Sequence, residues 1–166
     1  SPRRSDPRRE RVDPFVKRLA IEVVSRSAGE TRDVGRSLAP LLPPGSLVLL
    51  SGPLGVGKTE LVRGIAEGLG ADAGEVASPT FALVHEYGPA GVPPILVHAD
   101  LYRLLGTSSR GAVADDLGLA EARERGAVVV VEWPEGLDQE RDRDPVAIEI
   151  SLEDDEARRI VVRRAS

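Results

Sequence analysis

Eight residues constrain this chain more than any other stretch: Gly52-Pro53-Leu54-Gly55-Val56-Gly57-Lys58-Thr59. They fit G-x-x-x-x-G-K-[ST], the spacing of a loop that wraps nucleotide phosphates. The pattern alone is moderately specific, so its flanks decide. Residues 46–51 form a short apolar run that reads as a buried strand. Beyond the loop, Leu61, Ile65 and Leu69 recur at i, i+4 and i+8, with Val62 and Ala66 beside them. That is one face of an amphipathic helix, and Gly70 stands where a helix stop is expected. A glycine-rich turn opening a helix is the plainer alternative, but it leaves the Lys-Thr pair without a reason.

The chemistry follows from the residue types. Glycines let the backbone adopt conformations a Cβ forbids and approach phosphate closely. The loop N–H groups and the positive end of the helix then face the anion. Lys58 brings a compact cation to the β and γ phosphates, and the Thr59 hydroxyl is a ligand for Mg²⁺. The candidate nucleotide-binding residues here are Gly55, Val56, Gly57, Lys58, Thr59 and Glu60.

Composition sets the surroundings. With 166 residues, 41% hydrophobic and 30% charged, the chain has the size and make-up of one globular α/β domain. There is no cysteine, which excludes disulfides and thiolate metal sites. No signal-peptide pattern or long apolar stretch is present, so no membrane span and a cytoplasmic location are expected. The net charge of −5 disfavours a protein that grips RNA mainly through phosphates, so any contact with nucleic acid is expected to be local or through a partner. Arg158, Arg159, Arg163 and Arg164 read as a solvated strand face. Only two lysines occur, Lys17 and Lys58, and the second fills the phosphate-binding position.

Residues 1–14, rich in Arg and Pro, read as a disordered tail, with a single domain over residues 15–166. Strands are expected at 17–25, 46–51, 81–87, 95–100, 127–132, 146–152 and 158–164, and helices at 30–42, 60–70 and 119–125. The two strands at 81–87 and 95–100 suggest a hairpin. Ala127 to Val131 is a continuous apolar run, the mark of a strand covered on both faces near the centre of a parallel sheet. The order predicts an α/β fold: a P-loop NTPase-like three-layer sandwich with a mixed, largely parallel central sheet, finishing in a C-terminal β meander.

Such a loop needs an acid at the end of a neighbouring apolar strand to hold the metal. Two are on offer: Asp100 after residues 95–99, and Glu132 after residues 128–131. In an open α/β sheet both strand ends reach the crevice where the loop opens. One acid binds Mg²⁺ and the other orients or deprotonates the attacking water; the residue pattern does not say which. Thr80 is a candidate switch residue or a plain turn threonine. His85 and His98 read as packed or exposed strand residues. Trp133 is either core or a platform at the site's rim. GTPases read guanine with an [NT]-K-x-D element, and this chain has no asparagine and neither lysine in that setting, so ATP is the expected nucleotide.

Several segments in order resemble one family. Leu54 to Thr59, Ser78-Pro79-Thr80-Phe81, His98-Ala99-Asp100-Leu101-Tyr102-Arg103-Leu104 and Val131-Glu132-Trp133-Pro134 look like the TsaE (YjeE) family, the ATPase of tRNA threonylcarbamoyladenosine synthesis. The resemblance runs from about Ile21 to Val162, and Glu30-Thr31 with Gly35 resembles the family's N-terminal helix near the nucleotide. It implies ATP hydrolysis that is slow in isolation and association with the TsaD–TsaB heterodimer. Carried over by position, Lys58 would bind phosphate, Thr59 and Glu132 would ligate Mg²⁺, Asp100 would be a catalytic or water-positioning acid, Thr31 would lie near the nucleotide, and Thr80 would belong to a mobile segment. Pro53, Glu60 and Ala99 depart from the family's usual Asp, Thr and Phe. Two other classes compete with this one. One is a small-molecule kinase, for which residues 106–110 are the only candidate lid, and the other is a module that holds nucleotide without turnover.

Overall fold

The computed structural model describes residues 20–71, 84–88, 94–101, 117–133 and 145–164. The elements are β1 (Ala20–Ser25), α1 (Ala28–Leu38) with a 3-10 turn at Ala39–Leu41, β2 (Leu47–Ser51), α2 (Lys58–Gly68), β3 (Val84–Tyr87), β4 (Leu96–Asp100), α3 (Leu119–Glu124), β5 (Val128–Glu132), β6 (Val146–Leu152) and β7 (Arg158–Arg164). The expected tail at 1–14, Thr80 and residues 106–110 lie outside the described residues.

All seven described strands join one sheet in the order β1-β7-β6-β2-β5-β4-β3. Four of its strands, β6, β2, β5 and β4, run parallel to one another. The edges are antiparallel: β3 pairs with β4 as the expected hairpin, and β6 pairs with β7, on which β1 closes. The C-terminal meander is thus completed by the first strand of the chain.

Alternation along the central strands sorts their side chains between two cores. Val48, Leu50, Val128, Val130 and Ile148 pack under α1 and α2, with Leu61, Val62 and Ile65 from the second helix. Leu47, Leu49, Val97, Val129 and Val131 face the other way, toward Leu119 of α3 and Leu101. Helices, sheet and helix make the three layers. Cover on both faces is why β2 and β5 read as unbroken apolar runs.

The two helices on the first face touch backbone to backbone. A Cβ on Gly64 would stand 2.0 Å from the Arg32 carbonyl oxygen, and one on Gly35 would stand 2.4 Å from that of Leu61. Those glycines cost helix propensity of about 1 kcal/mol each, and the close approach they permit holds α1 against the helix that carries the loop. The start of α1 is fixed by Ser27, whose side chain accepts from the Glu30 N–H at 3.0 Å, while the Glu30 carboxylate accepts from the Arg26 N–H. This Ser-x-x-Glu exchange is close to a capping box. It starts the helix two residues before the position expected from apolar periodicity. Among the described residues no helix is long and apolar enough to cross a membrane.

Candidate functional site

The loop after β2 turns at once. Gly52 has no room for a side chain, since a Cβ there would meet the Ile150 carbonyl oxygen at 2.6 Å. The Val56 N–H then donates to the Pro53 carbonyl at 3.3 Å, closing a turn. Pro53 therefore serves the loop through its oxygen, and its missing N–H lies outside this turn's hydrogen bond. Gly57, the residue before α2, has φ 114°, a conformation that favours glycine. From Lys58 onward the helix points its N-terminus at the mouth of the loop.

Lys58 is 7% exposed. Its Nζ donates to the Gly52 carbonyl at 2.6 Å and stands 4.4 Å from the centre of the Trp133 ring. Trp133 has φ 58°, an uncommon value for a non-glycine residue. It packs partly against the second core as well. Both expectations for Trp133, core and rim platform, describe the same side chain.

The two acids lie where the sheet brings them together. Asp100 and Glu132 are register partners at the ends of β4 and β5, and the Leu101 N–H donates to the Glu132 carbonyl at 3.1 Å. By strand alternation both carboxylates point to the face that carries α2. Lys58, Thr59, Glu60, Asp100, Glu132 and Trp133 line one cleft of about 250 Å³ with Leu54, Gly55 and Gly57. Glu132 is 3% exposed.

A second cleft, of about 270 Å³, opens on the other side of the loop between Ser27, Ala28, Thr31, Gly55, Val56, Gly57, Glu60, Glu156 and Arg158. Thr31 is buried there; its hydroxyl is 2.7 Å from that of Ser25 and donates to the Ser27 carbonyl at 3.2 Å. Glu60 borders both clefts, and its carboxylate is paired with Arg63 and, at 3.8 Å, with Arg32. The Arg158 Nε donates to the Val56 carbonyl at 2.9 Å. Arg158 is thus half-buried and braces the loop from β7, which corrects the expectation that it belongs to a solvated strand face. The paired arginines at the two ends of β7 hold no signal for that contact, which spans 102 residues.

Four side chains that carry oxygen donors line the first cleft, Thr59, Glu60, Asp100 and Glu132, and of these Glu60 is paired with Arg63 and Arg32. Among the described residues no group of three or more His, Cys, Asp or Glu side chains forms a metal cage. Magnesium fits this donor set, because it is held by one or two carboxylates together with phosphate oxygens and water.

A sheet whose P-loop opens beside acids at the ends of adjacent parallel strands defines the P-loop α/β class. The family model for "Threonylcarbamoyl adenosine biosynthesis protein TsaE" matches residues 25–161, and the chain belongs to that family. It is 45% identical over 120 residues to the tRNA threonylcarbamoyladenosine biosynthesis protein TsaE of Streptomyces coelicolor, covering 72% of this chain and 77% of that protein. The Bacillus subtilis protein of the same name is 35% identical over 79% of this chain and 77% of its own length. The crystal structure of Bacillus subtilis YdiB superposes with a TM-score of 0.67 at 28% identity, covering 90% of this chain and 88% of that one.

Proposed function

We propose that this chain is the ATP-binding and ATP-hydrolysing subunit of the tRNA threonylcarbamoyladenosine machinery, working in the cytoplasm with a TsaD–TsaB heterodimer. The observation that carries the enzymatic part is the meeting of Lys58, Asp100 and Glu132 at one loop mouth. Loop amides and the α2 N-terminus receive the phosphates, and Lys58 stands at the same mouth to neutralise them. Thr59 and Glu132 would hold Mg²⁺, which when bound would draw charge from the phosphate oxygens. Asp100, opposite Glu132, orients the water that attacks the γ phosphorus while the bond to the β-phosphate oxygen breaks. The cleft beside Thr31 gives the nucleoside a place next to the loop. Family membership supports the place of this chemistry in tRNA modification.

Association and turnover separate this reading from a kinase. Immobilised chain should retain TsaD and TsaB when ATP is present, and labelled γ-phosphate should appear as inorganic phosphate. Failure to retain either partner in any nucleotide state would remove the complex from the account. Label on an acceptor other than water would replace hydrolysis with a kinase reaction.

A further inference from the structure

Among the described residues, His98 is a buried polar side chain beside the site that the proposed reaction does not use. His98 lies two residues before Asp100 on β4, so strand alternation turns it to the same face. It is fully buried, and its Nε2 is 3.2 Å from Glu132 Oε2. The contact is not aligned as a hydrogen bond, and among the described residues neither ring nitrogen has another partner. Burying an imidazole unsatisfied is costly, and the neighbouring positions of β4 and β5 are filled by Leu, Val and Ala at no such cost. Direct ligation of Mg²⁺ by His98 does not fit, because that ion takes oxygen donors. What remains within reach is the Glu132 carboxylate.

We propose that His98 is a positioning residue for Glu132: it donates Nε2–H to one carboxylate oxygen and so leaves the other for the metal. The inference rests on the reading of Glu132 as a Mg²⁺ ligand. A ligand carboxylate in a narrow cleft has several rotamers, and an outer donor that fixes one of them raises metal affinity. His98 suits this task because its register partner on the adjacent parallel strand is Val130, two residues before Glu132, and its ring is fully buried.

The test uses Mn²⁺ as probe, with binding read from the loss of its free electron-spin-resonance signal in the presence of ADP. His98→Leu should weaken Mn²⁺ by about 10–100-fold and leave metal-free ADP binding unchanged. His98→Gln, whose amide reaches the Nε2 position, should restore most of that loss, whereas His98→Asn, which reaches only the Nδ1 position, should not. Wild-type Mn²⁺ affinity in His98→Leu would overturn the proposal. Should His98→Leu fail to fold, equal affinity in the Gln and Asn variants would overturn it instead. Glu132→Gln distinguishes the two levels: undiminished Mn²⁺ binding there would overturn the metal-ligand reading, and the inference with it.

Discussion

Asp100 and Glu132 face each other across the β4–β5 pair, one at the end of each parallel strand, with the Leu101 N–H bonded to the Glu132 carbonyl. The proposed function divides the work between these two carboxylates, which share one cleft, and gives the metal to Glu132, the nearly buried one. Glu132→Ala should therefore lose the Mg²⁺ dependence of ATP binding with the fold intact. Asp100→Asn should keep nucleotide affinity but lower turnover by about 10²–10⁴-fold, the usual reach of a positioned acid or base. Measuring affinity and rate separately for both variants checks the assignment. Exchanged phenotypes would move the ligand role to Asp100.

The loop after β2 leans on the β6–β7 hairpin. Arg158 holds the Val56 carbonyl, and the backbone at Ile150 crowds Gly52. A hydrogen bond from a charged donor is worth about 1.5–3 kcal/mol. Arg158→Leu should thus weaken ATP by about 10–100-fold while the protein still melts cooperatively. Calorimetric titration of ATP into the variant makes the comparison, and unchanged affinity would show that the loop stands without its brace.

How much of this was legible in the sequence differs by element. The loop, its helix and both acids declared themselves, because a glycine pattern, a 3.6-residue period and an acid after an apolar run are local signals. The central strands were equally plain, since cover on both faces leaves only apolar residues such as Val128 to Val131. The contacts that Arg158 and His98 make are not legible there. Each depends on a partner far along the chain, Val56 for the first and Glu132 for the second, and no local spacing encodes that distance. Trp133 was ambiguous for another reason: its backbone takes a positive φ that nothing in its residue type predicts. That turn is what lets one ring serve the core and Lys58 together.

The turn between β6 and β7 carries its own pH dependence. Backbone N–H groups of Glu156 and Ala157 donate to Asp154, at 2.9 and 2.8 Å, and hold its carboxyl below the usual carboxylate range. A lowered folded-state value means that the stabilisation is full above the unfolded pKa and fades as pH falls through the folded one. Asp154→Ala should melt earlier than wild type at pH 7, and the gap should close below about pH 4, where an unfolded Asp takes up its proton. Thermal unfolding of both proteins across that range reads the effect; a gap that persists undiminished to pH 2 would contradict it.

The central claim is that the loop from Gly52 to Thr59 delivers ATP to hydrolysis, with Lys58 as its cation. The most direct measurement is phosphate release from Mg-ATP by wild type and by Lys58→Ala, each with TsaD and TsaB present. Wild type should release phosphate, and Lys58→Ala should fall by about 10²–10³-fold, the loss expected when a charge-stabilising donor is removed. Equal release by the two proteins would contradict the account.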